Sequence, residues 1–314
     1  MKKRVAFFLI IIFILSIVSF LPVTQKTDIS LSASFDNIMQ QIIHVGNWKN
    51  WYPAMREAYK NNPAGYSLAY DPSQKISTIN ISGKKYIIHA MTPMSYQVRE
   101  VNSKWVDVFA FTVFSGDTLS RMKISIEKKN PLLFILFDRN KAGENAINGL
   151  KSYLEDPKSF YGYKIEMGTI RDSVIASSVF KIRKKDVFLK IHNAYLNLEQ
   201  YIKTNGLLKT DHVSISYNPI SDDSLQITVG VPVNKPAPPD GEINCLLLPA
   251  KGNVLVGNYD GRFSDRKKIY IAMSKYLTDH TLSVPAESFE RYLNDSIPTS
   301  DSSMIRIELN YPVY

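Results

Sequence analysis

The sequence predicts an α+β protein with a membrane helix at its N-terminus and two soluble domains behind it. Three observations lead to this prediction: an uncharged apolar run near the N-terminus, a series of short alternating segments after it, and a duplicated pattern in the C-terminal half. The chain has 314 residues, 45% hydrophobic and 21% charged, so it can bury a sizeable core and is not a disordered chain. Its single cysteine, Cys245, excludes an internal disulfide and a multi-cysteine metal site.

The N-terminal segment has the composition of a membrane helix. Lys2, Lys3 and Arg4 precede a run without charge from Val5 to Val23, and a helix of that length spans about the 30 Å of a bilayer core. A cleaved secretory signal peptide is the alternative, although the small-residue cleavage site of such peptides is missing. The basic residues before the run predict a single-pass inner-membrane anchor over residues 1–26, with the rest of the chain in the periplasm.

The net charge does not indicate a nucleic-acid partner. The formal charge is +9, and four of these charges flank the apolar run, which leaves about +5 for the remainder of the chain. Two basic runs, Lys181–Lys185 and Arg266–Lys268, lack interleaved aromatic residues and are interpreted as the solvated starts of helices. We therefore expect a membrane partner for the N-terminal helix and no nucleic acid.

The first soluble region, residues 27–156, is predicted to be a curved antiparallel sheet folded around a helix. Thr27 to Ala33 alternates like a strand, and Phe35 to Ile43 has helical spacing after a Ser34 cap. Six further strands are predicted at Tyr66–Tyr70, Lys75–Ile81, Lys85–Ala90, Tyr96–Val101, Trp105–Phe114 and Leu119–Lys128. A terminal helix is predicted from the shared face of Ala146, Leu150, Tyr153 and Leu154. Such an arrangement encloses a cavity.

This order of elements resembles the SRPBCC or START-like helix-grip superfamily. The matching segments are SFDNIMQQIIHVGNWKNWYP and the later GENAINGLKSYLED, and the resemblance covers roughly the whole region. It implies an apolar ligand held between the sheet and the C-terminal helix. Trp48 and Trp51 are interpreted as hydrophobic packing at a helix end, and no catalytic residue transfers from the resemblance.

The second soluble region, residues 160–314, contains two copies of one unit, over residues 170–233 and 243–314. The segments that match at an offset of 75 residues are Val179–Ile182 with Val254–Gly257, Ala194–Ile202 with Ile269–Leu277, and Val213–Tyr217 with Ser288–Tyr292. After a loop with five more residues in the second copy, Pro232-Val233 matches Pro312-Val313. Each copy is therefore predicted to fold as strand, helix, strand, strand.

The two predicted helices, Lys185–Thr204 and Arg266–Thr278, each carry an apolar stripe that must be buried against a sheet. The proline-rich segment Asn234–Gly241 is predicted to be the linker between the copies. Two similar units packed about an approximate twofold axis leave a groove between them, which is the usual place for a small molecule.

Four motifs of this region resemble the GyrI-like effector-binding domain, also known from the ligand-sensing part of AraC-type and multidrug-responsive regulators. They are Leu248–Val254, Tyr259–Phe263, Phe289–Leu293 and the terminal Tyr311–Val313. The resemblance covers about half of the chain and implies a groove for a small, in some members cationic, ligand, with Glu290 in that groove. The DNA-reading module of the family's regulators has no counterpart in this sequence, which argues against transcriptional regulation.

Comparison of the two copies identifies Glu290 as the candidate ligand-binding residue and as a candidate catalytic residue. Its equivalent in the first copy is Ile215, and a carboxylate in the centre of a sheet is costly to bury unless it is paired. Tyr292 lies two residues further along the strand and therefore on the same face. The alternatives for Glu290 are exposure to solvent or pairing with Arg291 or Arg306.

Three further tyrosines are candidates for lining the groove and stacking on a flat cation: Tyr259, Tyr270 and Tyr276. Tyr270 and Tyr276 occur at helical spacing, as Tyr195 and Tyr201 do in the first copy, which favours core packing for them. Glu308 is a candidate second acid, although an exposed position on its strand is favoured.

Other catalytic signatures are missing from the sequence. The five histidines are isolated, and there is no HExxH, GxSxG, Walker or GxGxxG motif, so no metal and no cofactor are expected. The predicted function is membrane-anchored binding or sensing of an amphipathic or cationic small molecule. The alternative is a hydrolase of reactive small electrophiles in which Glu290 acts as general acid or base.

Overall fold

The computed structural model describes residues 13, 16–19, 22–101, 107–115, 121–131, 142–171, 174–248, 251–293 and 297–314. The chain divides into two compact units, Met1–Asp156 and Pro157–Tyr314. Each unit is of the α+β type with its own antiparallel sheet, which among the described residues has seven strands in the first unit and eight in the second.

The predicted membrane helix over Val5–Val23 is wrong. Pro22 and Val23, its predicted end, belong to the first strand, β1 (Pro22–Ser32), whose residues all pair with β7 (Arg121–Pro131). Residues 5–12, 14, 15, 20 and 21 lie outside the described part of the chain. Among the described residues, no helix has both the length and the apolar character needed to cross a bilayer. The single-pass anchor and the periplasmic location, which both rested on this helix, therefore lose their basis.

The described part of the first unit combines a seven-stranded antiparallel sheet with helices. Its helices are α1 (Phe35–Ile43), α2 (Trp48–Trp51), α3 (Pro53–Asn61) and α4 (Ala142–Glu155). Its remaining strands are β2 (Ser67–Asp71), β3 (Ile76–Ile81), β4 (Lys84–Thr92), β5 (Ser95–Glu100) and β6 (Asp107–Ser115). The sheet order is β1-β7-β6-β5-β4-β3-β2, so the first and last strands of this unit are neighbours. The predicted strand starts at Trp105 and Leu119 fall outside the described residues.

Helix α1 illustrates how closely local sequence determines this unit. The predicted helix Phe35–Ile43 is confirmed, and the Ser34 hydroxyl accepts a hydrogen bond from the Asn37 backbone N–H, as an N-cap should. Ile38 and Ile42, which are four residues apart and therefore on one face, are completely buried.

An aromatic cluster forms the core of the first unit. Trp48 and Trp51 are completely buried, and their indole N–H groups donate to the Ile42 and Gln41 carbonyls at 2.9 and 3.1 Å. Both are therefore confirmed as packing residues. Their rings, together with Tyr96 and Phe111, occupy the interior in which the sequence predicts a ligand cavity. The START-like assignment and its apolar ligand stay predictions.

The second unit contains two copies of the order strand, helix, strand, strand, as the repeat predicts. The first copy is β9 (Val174–Arg183), α6 (Val187–Thr204), β10 (Ser214–Pro219) and β11 (Ser224–Pro232). The second copy is β13 (Asn253–Arg262), α7 (Lys267–Asp279), β14 (Phe289–Tyr292) and β15 (Met304–Pro312). The additional elements are the short helix α5 (Pro157–Phe160), β8 (Ile165–Thr169) and β12 (Ile243–Leu247).

The two copies exchange their leading strands. The sheet order is β12-β9-β11-β10-β14-β15-β13-β8, so β8, which precedes the first copy, pairs with β13 of the second. Strand β12, which precedes the second copy, pairs with β9 of the first. The sheet is therefore symmetric about the junction of β10 and β14, and each copy is completed by a strand from the other side of the linker.

The offset between the copies is not constant, which corrects one part of the predicted alignment. Arg183 pairs with Ser224 at the start of β11, and Arg262 pairs with Met304 at the start of β15, so β9 and β13 match at an offset of 79 rather than 75. The helix ends and β10 with β14 keep the offset of 75. Helix α6 has 18 residues and α7 has 13. The change in offset from 79 to 75 is four residues, which is about one helical turn, so the buried stripe stays in phase.

Both helices pack on one face of the eight-stranded sheet. The core between them contains Ile215 and Val229 from the sheet, Leu198 from α6 and Met273 from α7, each of which is completely buried. Residues that alternate with these along the strands, such as Ser214 and Thr228, lie on the opposite face. We call the first the helix-covered face and the second the open face.

Candidate ligand-binding site at the twofold axis

The symmetric pairing of β10 with β14 places the two members of one repeat position directly opposite each other. Ile215 of the first copy and Glu290 of the second are cross-strand partners at the junction of the two halves. Both side chains are completely buried on the helix-covered face. The difference between the copies that the sequence reveals therefore lies on the twofold axis itself, in the middle of the sheet.

The Glu290 carboxylate accepts three hydrogen bonds from side chains. One oxygen, Oε1, accepts from Arg266 Nε at 2.9 Å and from the Tyr270 hydroxyl at 2.7 Å. The other, Oε2, accepts from the Tyr292 hydroxyl at 2.5 Å. Tyr292 in turn lies 3.0 Å from the hydroxyl of Tyr217, its equivalent in the first copy. The alternatives to the ligand role, which were exposure to solvent and pairing of Glu290 with Arg291 or Arg306, do not describe the structure, because Glu290 is completely buried and its cation is Arg266.

Arg266 is held in a partly aromatic enclosure. It ends the short 3-10 turn Phe263–Arg266 that leads into α7. Its guanidinium carbon lies 3.4 Å from the centre of the Phe263 ring and 4.9 Å from that of Tyr217, and a second guanidinium nitrogen donates to the Phe263 carbonyl at 3.1 Å. The side chain is 18% exposed, whereas Glu290 is completely buried. Arg266 is therefore the member of the pair that reaches solvent.

The tyrosines around Glu290 are kept in their protonated, hydrogen-bond-donating form. Burial, followed by the Glu290 charge, raises the pKa of the Tyr217 and Tyr270 hydroxyls above 10. Burial and the neighbouring Tyr217 and Glu290 raise the pKa of Tyr292 well above 10. Burial lowers the pKa of Arg266, but Glu290 and the neighbouring Tyr217, Tyr292 and Tyr270 together raise that pKa by more, so the guanidinium stays charged.

The energetics of this cluster favour an intact ion pair but do not explain why a pair is present. Removing one member of a buried, hydrogen-bonded pair costs about 3–5 kcal/mol, because the other charge is left unpaired in the core. Replacing both members with apolar side chains of similar volume is often neutral or stabilising. The first copy, with Ile215 on the axis, shows that this scaffold folds around an apolar side chain at the same position.

The remaining predicted groove residues lie in two places. Tyr270 and Tyr292 contact Glu290, as described. The Tyr259 hydroxyl instead donates to the Arg262 carbonyl at 2.6 Å. The Tyr276 ring stacks on His280, with ring centres 3.9 Å apart, and lies against Tyr161. The structure therefore brings two of the four predicted tyrosines to the carboxylate, and places Tyr259 and Tyr276 in packing and capping roles.

Glu308, the candidate second acid, lies on the open face of the sheet and not beside Glu290. Its carboxylate accepts a hydrogen bond from Arg291, which also donates to Asp211. Arg291 is one residue from Glu290, and alternation along the strand directs it to the opposite face. In the described part of the chain, no group of histidine, cysteine and carboxylate side chains is arranged to hold a metal ion.

Sequence reasoning missed three members of the site: Arg266, Phe263 and Tyr217. Arg266 belongs to the basic run Arg266–Lys268, whose composition predicts a solvated helix start, and this prediction is wrong for Arg266. Tyr217 could have been found from the repeat, because its equivalent Tyr292 was already a candidate. Phe263 carries no signal beyond its place in the motif Tyr259–Phe263.

The comparisons with known proteins leave the family of this chain open. No family model matches the sequence. The search of curated proteins also found no match. Solved structures similar to the chain include the EcmrR C-terminal domain, with 19% identity over 48% of this chain and 98% of that one and a TM-score of 0.40. SAV2435 bound to tetraphenylphosphonium is 15% identical, over 48% and 94% of the two chains, with a TM-score of 0.31. A hydrolase from Listeria innocua is 13% identical, over 48% and 92%, with a TM-score of 0.35.

Proposed function

We propose that the second unit binds a small, flat organic cation at Glu290, and that the ligand replaces the guanidinium of Arg266. The observation behind this proposal is a completely buried carboxylate on the twofold axis whose only cationic partner within 4.0 Å, among the described residues, is a partly exposed arginine. The proposal is in keeping with the motif resemblance to GyrI-like effector-binding domains, which implies a small-molecule groove at this glutamate.

Arg266 indicates which chemistry the site accepts. A guanidinium is planar, delocalised and weakly hydrated, and it combines a hydrogen bond to a carboxylate with stacking on aromatic rings. The site provides both interactions, through Glu290 and through the rings of Phe263 and Tyr217. An aromatic or amidinium-like ligand offers the same planar charge, and cation–π contacts strengthen where water is excluded.

The position of Arg266 implies competition between the ligand and the protein's own side chain. Because Arg266 is bonded to Glu290 and is the member of the pair that reaches solvent, a ligand reaches the carboxylate only after the arginine side chain has turned outward. The measured affinity for a ligand then equals the intrinsic affinity of the vacant site multiplied by the small fraction of molecules in which Arg266 has left that site. Removing the arginine should therefore tighten binding of a cation, although it destabilises the fold.

The experiment is a binding titration of the full chain with ethidium as a planar aromatic cation, followed by fluorescence. We expect Glu290→Gln to weaken binding at least tenfold and Arg266→Met to strengthen it at least tenfold. Asp265→Asn is the matched control, because it removes the same charge from a half-exposed side chain next to Arg266; binding should stay within twofold. Unchanged affinity in Glu290→Gln would contradict the proposal.

The hydrolase alternative receives no support from this geometry. A general acid or base must reach the reacting atoms, but Glu290 is completely buried and already accepts hydrogen bonds from three donors. Binding is the function that this arrangement performs without rearrangement of Tyr270 and Tyr292.

A further inference from the structure

The open face of the same sheet carries a cavity, which is separate from the Glu290 cluster on the helix-covered face. Its volume is about 510 Å³, and its wall includes Ile175, Leu246, Phe289 and Val313 together with the hydroxyl-bearing Ser214 and Thr228. A smaller pocket of about 60 Å³ shares Ile175, Ser214 and Phe289 with it and also contains Arg291. Alternation along β14 places Arg291 and Glu290 on opposite faces, so the two sites are divided by the sheet.

We propose that this cavity binds a neutral amphipathic small molecule, with an apolar body in the larger chamber and a hydrogen-bond acceptor at Arg291. Arg291 is buried, with an exposure of 8%. Two of its guanidinium nitrogens donate hydrogen bonds to Asp211 and Glu308. Its third nitrogen, Nε, is buried without a hydrogen-bond partner. A buried N–H of a charged group is rarely left unpaired, so it marks a position at which an acceptor would bind.

The charges around the cavity argue for a neutral ligand. Arg291 pairs with the carboxylates of Asp211 and Glu308. Arg171 also lines the smaller pocket, so the positive charges of the two arginines equal the negative charges of the two carboxylates. The larger chamber adds Glu287, which repels an anionic head group. A carbonyl or hydroxyl oxygen can accept from Arg291 without adding charge to this balanced set.

The two copies of the repeat differ at the end of the cavity that contains Arg291. Arg291 is the equivalent of Ser216, whose hydroxyl donates to the Ser288 carbonyl at 2.6 Å. The first copy thus has a small residue, satisfied within the protein, where the second copy has a cation with a free donor. Glu290, which also differs between the copies, lies at the same junction of β10 and β14 on the helix-covered face.

The test uses Nile red, a neutral dye with a carbonyl acceptor, titrated against the full chain. Leu246 lines the chamber, whereas its neighbour Leu247 is 73% exposed and does not. We expect Leu246→Trp to weaken dye binding at least tenfold by filling the chamber, and the matched control Leu247→Trp to stay within twofold. Equal effects in the two variants, or none in Leu246→Trp, would overturn the proposed location.

The acceptor site is tested with a second pair of ligands. Arg291→Lys keeps the positive charge between Asp211 and Glu308 but removes Nε, so Nile red should bind at least fivefold more weakly while pyrene, which has no acceptor, is unaffected. Equal effects on both dyes, or none on Nile red, would contradict the role of Arg291. Glu290→Gln should leave Nile red binding unchanged and Leu246→Trp should leave ethidium binding unchanged, so failure of one site is distinguishable from failure of the other.

Discussion

The two copies of the repeat build the same half-sheet around different centres. In the first copy the axial position is Ile215, and in the second it is Glu290, bonded to Arg266, Tyr270 and Tyr292. The residues of the first copy that align with Arg266 are Ile191 at an offset of 75 and Val187 at an offset of 79, and both are buried aliphatic residues. Because the first copy folds around an apolar residue at this position, the needs of folding do not explain why the second copy has an ion pair.

We expect the largest loss of stability when Arg266, the cation of the buried pair, is replaced. Arg266→Met keeps much of the side-chain volume but leaves the Glu290 carboxylate buried without a positive charge, which should cost about 3–5 kcal/mol of unfolding free energy. Hydrogen exchange of the β14 and β15 amides measures this in the second unit. All three tryptophans lie before residue 106, so tryptophan fluorescence follows the first unit as an internal control.

The control variant for that experiment is Lys268→Met. Lys268 pairs with Asp265 at 3.1 Å, but both side chains are about half exposed or more, so its loss should change stability by no more than about 0.5 kcal/mol. A cost in Arg266→Met as small as that in Lys268→Met would mean that Glu290 is not dependent on its arginine.

Two simultaneous substitutions would give the second copy an apolar centre like that of the first. In Arg266→Met/Glu290→Leu the buried charge and its partner are removed together, and the double variant should be more stable than Arg266→Met by about 2 kcal/mol or more. The same hydrogen-exchange measurement gives the double-mutant cycle. A double variant no more stable than the single one would show that the pair is required for folding, contrary to the comparison of the copies.

The third prediction compares two equivalent tyrosines. Tyr292→Phe removes a donor to the buried carboxylate and should cost about 1.5–3 kcal/mol, whereas Tyr217→Phe removes only a contact between neutral hydroxyls and should cost about 0.5–1.5 kcal/mol. Thermal unfolding of the second unit should therefore be lowered more by Tyr292→Phe. The reverse order would mean that the hydrogen bond to Glu290 contributes less than the packing of the rings.

The smallest effect concerns the ends of the two helices, which close in the same way. Gly206 follows α6 with a φ of 60°, and Thr281 occupies the equivalent position after α7 with a φ of 53°. In each copy the next amide donates back to the helix, at 2.9 and 3.0 Å. Thr281→Gly should stabilise the protein by about 1 kcal/mol, because a β-branched residue is strained at positive φ.

The reciprocal substitution serves as the control for this helix end. Gly206→Thr should destabilise the first copy by a similar amount, since it introduces the strain that Thr281→Gly removes. Thermal unfolding measures both. If Thr281→Gly lowers the melting temperature, the threonine side chain contributes a contact that outweighs its backbone strain.

Much of the fold could be predicted from the sequence because the signals are local or repeated. The Ser34 cap and the spacing of Ile38 and Ile42 specify α1, and alternation specifies most strands of the first unit. The duplication predicts both copies of the second unit and identifies Glu290, because Ile215 provides an internal reference. The exchange of β8 and β12 between copies could not be predicted, since it depends on pairing between segments far apart in the sequence.

The errors have physical causes of a different kind. A run of apolar residues is compatible with a membrane helix, but periodicity alone does not reveal that β1 begins at Pro22, because the partner strand β7 lies about a hundred residues away. The basic run Arg266–Lys268 indicates a solvated helix start, but charge alone does not report burial. The role of Arg266 depends on its contact with Glu290, 24 residues further along the chain, which no local pattern encodes.

The central claim is that Glu290 holds a cation site that Arg266 fills, and chemical rescue tests it most directly. Methylguanidinium supplies the charged group that Arg266→Met lacks, so it should raise the melting temperature of this variant in a saturable way at low millimolar concentration, by several degrees. It should have no such effect on the wild-type protein or on Arg266→Met/Glu290→Leu. Equal behaviour of the three proteins would contradict the claim.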